Sequence, residues 1–81
     1  MPVILRVKGY RFFFFSNEGN PLEMAHIHVR KGEKLAKFWL LQEIGLAESF
    51  GFSSKELREI TEIIAQNRVL LIDSWHAYFN I

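Results

Sequence analysis

His26 and His28 stand two residues apart in the alternating run His26-Ile27-His28-Val29-Arg30. On a β-strand that spacing sends both rings out of the same face. Two imidazoles so placed could serve as metal ligands, or as a general acid beside a general base near neutral pH. A catalytic metal normally takes three protein ligands. Glu23 is close in sequence and His76 lies far along the chain, but no spacing ties either to the pair. The plainer reading is two half-exposed histidines among arginines and aromatics. Other chemistry is scarce. The chain has no Cys, which excludes a thiol nucleophile, a Cys-based zinc site and a disulfide framework. Its serines sit in no nucleophile-elbow pattern, and Gly9, Gly19, Gly32, Gly45 and Gly51 are scattered rather than gathered into a phosphate-binding loop. The expectation is therefore no metal and no cofactor, and a chain that leans away from catalysis, with His26 and His28 as its only catalytic candidates.

The elements that must hold these residues are strands first and helix last. Residues 3–7 and 10–16 are rich in β-branched and aromatic side chains and are separated by Lys8-Gly9, a two-residue hairpin turn. Residues 17–23 have the composition of a loop. Residues 26–30 alternate, Gly32-Glu33 forms a second turn, and residues 35–41 return. Residues 44–49, bracketed by Gly45 and Gly51, fit a short fifth strand better than a turn of helix. Ser53 with Glu56 three residues later makes a capping box. Leu57, Ile60, Ile63, Ile64, Leu70, Leu71, Trp75 and Tyr78 then recur at helical spacing from about residue 54 to 79, with an interruption near Asn67. The predicted fold is α+β: a four- or five-stranded antiparallel meander with one long or kinked C-terminal helix packed on one face.

Register assigns the two faces of that sheet. With Lys8-Gly9 as the turn, Val7 opposes Tyr10, Leu5 opposes Phe12 and Val3 opposes Phe14. With Gly32-Glu33 as the turn, Val29 opposes Ala36 and Ile27 opposes Phe38. These apolar pairs are placed beneath the helix as the core. The other face carries Ile4, Arg6, Arg11, Phe13 and Phe15, then His26, His28, Arg30, Lys37, Trp39 and Leu41. One helix covers only one side of a sheet, and the Phe12–Phe15 run is apolar on both. An uncovered patch of large apolar side chains marks an interaction site. Phe13, Phe15 and Trp39 would be its anchors, and Arg6, Arg11, Arg30 and Lys37 its rim, steering an acidic partner. The occupant would be a second copy, a different protein, or single-stranded nucleic acid with bases on the aromatics. Alternatively, residues 42–52 fold back and cover the face.

Composition bounds the rest. Eighty-one residues make one small domain, residues 1–81, and half of them (49%) are hydrophobic, which excludes an intrinsically disordered chain. The net charge of +1 hides an asymmetry: residues 1–40 carry seven Lys/Arg against three acids, and residues 41–81 three against six. So small a total argues against strong non-specific nucleic-acid binding. No apolar run approaches the roughly 18 to 20 residues of a membrane span. The opening Met1-Pro2-Val3-Ile4-Leu5-Arg6 lacks a secretory pattern. A cytoplasmic protein with no membrane partner is expected.

The opening through Tyr10-Arg11-Phe12-Phe13-Phe14-Phe15-Ser16-Asn17-Glu18, the His26–Gly32 strand, the Ala36-Lys37-Phe38-Trp39-Leu40 strand, the Gly51-Phe52-Ser53 helix start and the Trp75-His76-Ala77-Tyr78-Phe79 ending together resemble the small bacterial proteins grouped as domain of unknown function 4160 (DUF4160). The resemblance covers essentially the whole chain. It implies a protein often encoded beside a second small gene, of the domain of unknown function 2442 family, in an arrangement like a toxin–antitoxin pair. Members commonly carry Pro-Pro just before the His-x-His strand, where this chain has Met24-Ala25. The expected role is a non-enzymatic protein-interaction module. The alternative is a small RNA-binding protein or ribonuclease toxin using His26 and His28.

Overall fold

A computed structural model describes residues 3–15 and 24–79. Five strands, β1 (Val3–Val7), β2 (Tyr10–Phe13), β3 (His26–Lys31), β4 (Lys34–Trp39) and β5 (Gly45–Phe50), are followed by two helices, α1 (Ser54–Gln66) and α2 (Arg68–Phe79). The strands form one antiparallel sheet in the order β1-β2-β3-β4-β5. The α+β meander is as expected, the fifth strand included. The loop expected at 17–23 and the last residue of the expected second strand lie outside the described residues.

Both predicted turns form. Lys8 (φ 53°) and Gly9 (φ 85°) are left-handed in succession, the signature of a type I′ hairpin whose twist matches the strands. Glycine takes that conformation freely; Lys8 adopts it against its ordinary preference. Gly32 (φ 62°) opens the second turn, and Lys31 faces Lys34 across it. As expected, Val7 faces Tyr10, Leu5 faces Phe12, Val29 faces Ala36 and Ile27 faces Phe38.

One expected pairing is corrected. Val3 faces Phe13, not Phe14, because the register shifts between Val3 and Leu5. The extra residue is a β-bulge, and a one-residue slip exchanges faces. Ile4 therefore packs against the core, and Val3 moves to the opposite side with Phe13.

The core lies between the sheet and the helices. Phe12, Phe14, Ile27, Val29, Phe38 and Leu40 are buried beneath Ile60, Ile63 and Ile64 of α1 and Leu71 and Trp75 of α2. Fully burying each such side chain contributes about 1.5–3 kcal/mol. The helix expected over 54–79 breaks at Asn67. Its backbone N–H still reaches the Ile63 and Ile64 carbonyls, but its side-chain amide also donates to Ile63 at 2.8 Å, and the chain turns into α2. Arg68 holds the junction to the sheet: its Nε donates to the Leu40 carbonyl at 2.8 Å and its Nη2 to that of Gln42 at 2.9 Å. Leu70 and Tyr78, assigned to the buried stripe by spacing, are exposed instead, because the turn at Asn67 re-phases α2 relative to α1.

The predicted capping box is present. Ser53 Oγ accepts from the Glu56 backbone N–H at 3.1 Å, and Glu56 Oε1 accepts from the Ser53 backbone N–H at 2.9 Å. Glu56 also receives the Lys34 ammonium at 2.9 Å, tying the helix start to β4. The Ser53 backbone donor first, and then Lys34, hold the Glu56 carboxyl down at about 2. A carboxyl depressed from 4.5 in this way stabilises the fold above that value, and the contribution fades as pH falls towards 2. Glu56→Gln should lower the melting temperature near pH 7, and melting curves recorded at successively lower pH should converge on wild type. A deficit unchanged at low pH would refute the charge-based account.

Candidate functional site

The side of the sheet away from the helices is organised in rows that cross the strands. Arg6, Arg11, Arg30, Leu35 and Phe50 face one another in turn along one row. Val3, Phe13, His28, Lys37 and Glu48 form the next. His26, Trp39 and Gly45 form a third. Residues 45–50 therefore widen the face as a fifth strand rather than folding over it.

The aromatic residues of the middle row are packed on each other. Phe13 stacks on His28 with centroids 5.6 Å apart and planes 26° apart. Phe15 meets Phe13 at 5.2 Å and His28 at 4.4 Å, edge to face in both cases. Phe13 and His28 are thereby buried, while Phe15 stays half-buried. Lys37 places its ammonium 4.6 Å from the Trp39 ring centre, a cation–π contact that leaves Trp39 half-buried. A groove of about 310 Å³ runs beside this cluster, lined by Phe15, His28, Leu35, Lys37, Glu48 and Phe50 among others. Phe50 at its edge is 72% exposed.

The two candidate histidines differ. His26 has no exposed surface. Its Nδ1 lies 2.8 Å from the Met24 carbonyl, which can only accept, so Nδ1 carries the proton. The ring is wedged between Trp39 at 5.6 Å and Trp75 of α2 at 4.7 Å. His28 is 5.2 Å from it, centroid to centroid, and reaches the groove. The sequence predicted two equivalent half-exposed rings; the structure makes one a packing element and the other part of a groove wall. Among the described residues no three His, Asp or Glu side chains converge as a metal site would require. Glu23 lies outside the described residues.

Of the residues assigned to the binding face, Arg6, Arg11, Phe15, Arg30, Lys37 and Trp39 keep surface there, while Phe13, His26 and His28 form the packed layer under them. Phe50, Leu35 and Glu48 were missed. Leu35 was legible in principle, two residues before Lys37 and hence on the same face. Phe50 and Glu48 required the β4–β5 register, which contains a bulge between Lys37 and Phe38.

A larger cleft, about 840 Å³, opens on the helix side between the first hairpin and α1. Three of its charged residues are held in ion pairs. Glu59 accepts from the Tyr10 hydroxyl at 2.9 Å and meets Lys8 at 3.5 Å, and Glu56 holds Lys34. Burial first, and then Glu59, push the Tyr10 phenol up to about 12. These contacts fasten α1 to the sheet.

A meander with helices on one side and an aromatic, basic surface on the other defines a small sheet-platform domain. The chain belongs to the DUF4160 family, a domain of unknown function, whose profile matches residues 9–76. No curated protein and no solved structure matches it. Among the described residues no helix is long and apolar enough to cross a membrane.

The two tryptophans report on the two faces. Trp75 is 1% exposed and Trp39 is half-buried. Acrylamide should quench part of the fluorescence readily and part poorly. Trp39→Phe should remove the readily quenched part and shift the remaining emission to the blue. Equal quenching of both residues would contradict the one-sided burial.

Proposed function

We propose that the protein is a non-enzymatic docking module that binds a partner protein on the sheet face opposite the helices. The observation that carries this reading is Phe50, exposed beside Leu35 and Phe15 at the groove and next in its row to Arg30, Arg11 and Arg6. Exposed aromatic side chains next to arginines are the composition of interface hot spots. The basic border favours a partner that is acidic where it meets the face. A gene pair of the toxin–antitoxin kind, as the family resemblance implies, would supply such a partner.

The geometry gives less to a ribonuclease. A general acid or base must reach the proton that it moves, and His26 is enclosed by Met24, Trp39 and Trp75. The positive charge on the face is also short of a continuous track, since Lys37 stands opposite Glu48.

Affinity capture with tagged wild type and with Phe50→Asp, from the native host at low salt, tests the reading. Wild type should retain a stoichiometric acidic protein, and Phe50→Asp should lose it. The loss should amount to about 2 kcal/mol or more, roughly 30-fold in affinity. Phe50 is exposed, so the variant should melt like wild type. Equal capture by both proteins would refute the docking face. So would an eluate of nucleic acid released by salt.

A further inference from the structure

The row Arg6, Arg11, Arg30 runs across β1, β2 and β3 with each guanidinium-bearing residue directly opposite the next. Like charges so placed repel. Among the described residues none of the three has an ion-pair partner, and the row continues into Leu35 and Phe50 rather than into an acid. The Nε of Arg30 is buried and has no hydrogen-bond partner among the described residues. A buried charged donor without an acceptor is costly. Arg30 also lines, with Val3, Arg11 and Phe13, a recess of about 70 Å³. That is the space of roughly two water molecules.

We propose that this recess is a carboxylate site, which takes an Asp or Glu side chain of the protein that docks on the face. The inference rests on the docking reading above and specifies its partner. A carboxylate in the recess would meet the Arg11 and Arg30 guanidinium groups that line it and would neutralise the repulsion along the row. Arginine forks pair with planar carboxylates through two parallel hydrogen bonds. The observations favour a protein acid over a nucleic-acid backbone. A single strand needs several phosphate contacts in succession, and here the arginines are confined to one row. Leu35 and then Phe50 continue that row, and Phe50 lies two strand spacings, about 10 Å, beyond Arg30. The docking segment therefore presents, on one side, an acidic side chain and an apolar one about 10 Å apart.

Nuclear magnetic resonance titration of the ¹⁵N-labelled full chain tests this. The probe is the capped peptide Ser-Asp-Glu-Ser-Ser-Phe-Ser, with its Asn-Gln counterpart as control. The Nε–Hε signals of Arg11 and Arg30 should move with the acidic peptide, which should bind at least tenfold more tightly than the control. Arg11→Glu should abolish the preference. Because Glu at that position would face Arg6 and Arg30, the variant should also melt at a higher temperature than wild type. Arg30→Gln should abolish the preference as well. Equal affinity for the two peptides, or shifts at Phe50 with the arginine signals unmoved, would overturn the carboxylate site and leave the docking face standing. Failure of wild type to bind either peptide would overturn the site too, with the docking face judged separately by capture. Arginine shifts caused by a decathymidine strand or by inorganic phosphate, but not by the acidic peptide, would overturn it in favour of a phosphate ligand.

Discussion

Trp75 is the contact on which the arrangement of the two layers depends. It lies at 5.4 Å from Phe14, 4.7 Å from His26 and 4.3 Å from Phe79, and it is almost wholly enclosed. α1 has a continuous buried stripe to hold it down. α2 has only Leu71 and Trp75 fully inside, with Val69, Leu70 and Tyr78 left in solvent. Its seat is therefore set by a few large contacts and by Arg68 gripping the backbone after β4, not by amphipathic periodicity. A small domain has about 5–15 kcal/mol of net stability, so one aromatic anchor is a large share of what holds the second helix.

The same anchor explains why His26 is buried. The ring fills the space between Trp39, on the face away from the helices, and Trp75, on the helix side. It closes the end of the sheet and joins its two surfaces. Both helices are committed to one side, so nothing of comparable size is left to cover the other among the described residues. The aromatic side chains there cover one another instead, with Phe13 beneath Phe15 against His28.

The architecture was legible because alternation, turn residues and the Ser53–Glu56 cap all act locally. The strand order, both hairpins and most pairings come from them. The features that escaped depend on non-local packing. A bulge leaves no mark in the sequence Val3-Ile4-Leu5, since all three residues suit either face, yet it exchanges two of them. The interruption at Asn67 was legible, but not that the break there re-phases α2 and leaves Leu70 and Tyr78 outside. For the site, alternation placed the arginines, Lys37 and Trp39 on the right surface. It could not separate the buried His26 and Phe13 from the exposed residues around them, because depth is set by neighbours on other strands. Phe50 emerged only once β5 had a register.

Neighbours in the sheet are also neighbours in the sequence, from β1 to β5. Every strand pairs with the one made just before it, so the sheet has low contact order, and pairing can follow synthesis strand by strand. The helices that close the core come after all five strands. Until α1 and α2 emerge, Phe12, Phe14, Ile27 and Phe38 are wet on the underside while the other face is already aromatic. The nascent sheet is thus apolar on both surfaces, and translation speed and chaperone access bear most heavily on the interval between β5 and Trp75.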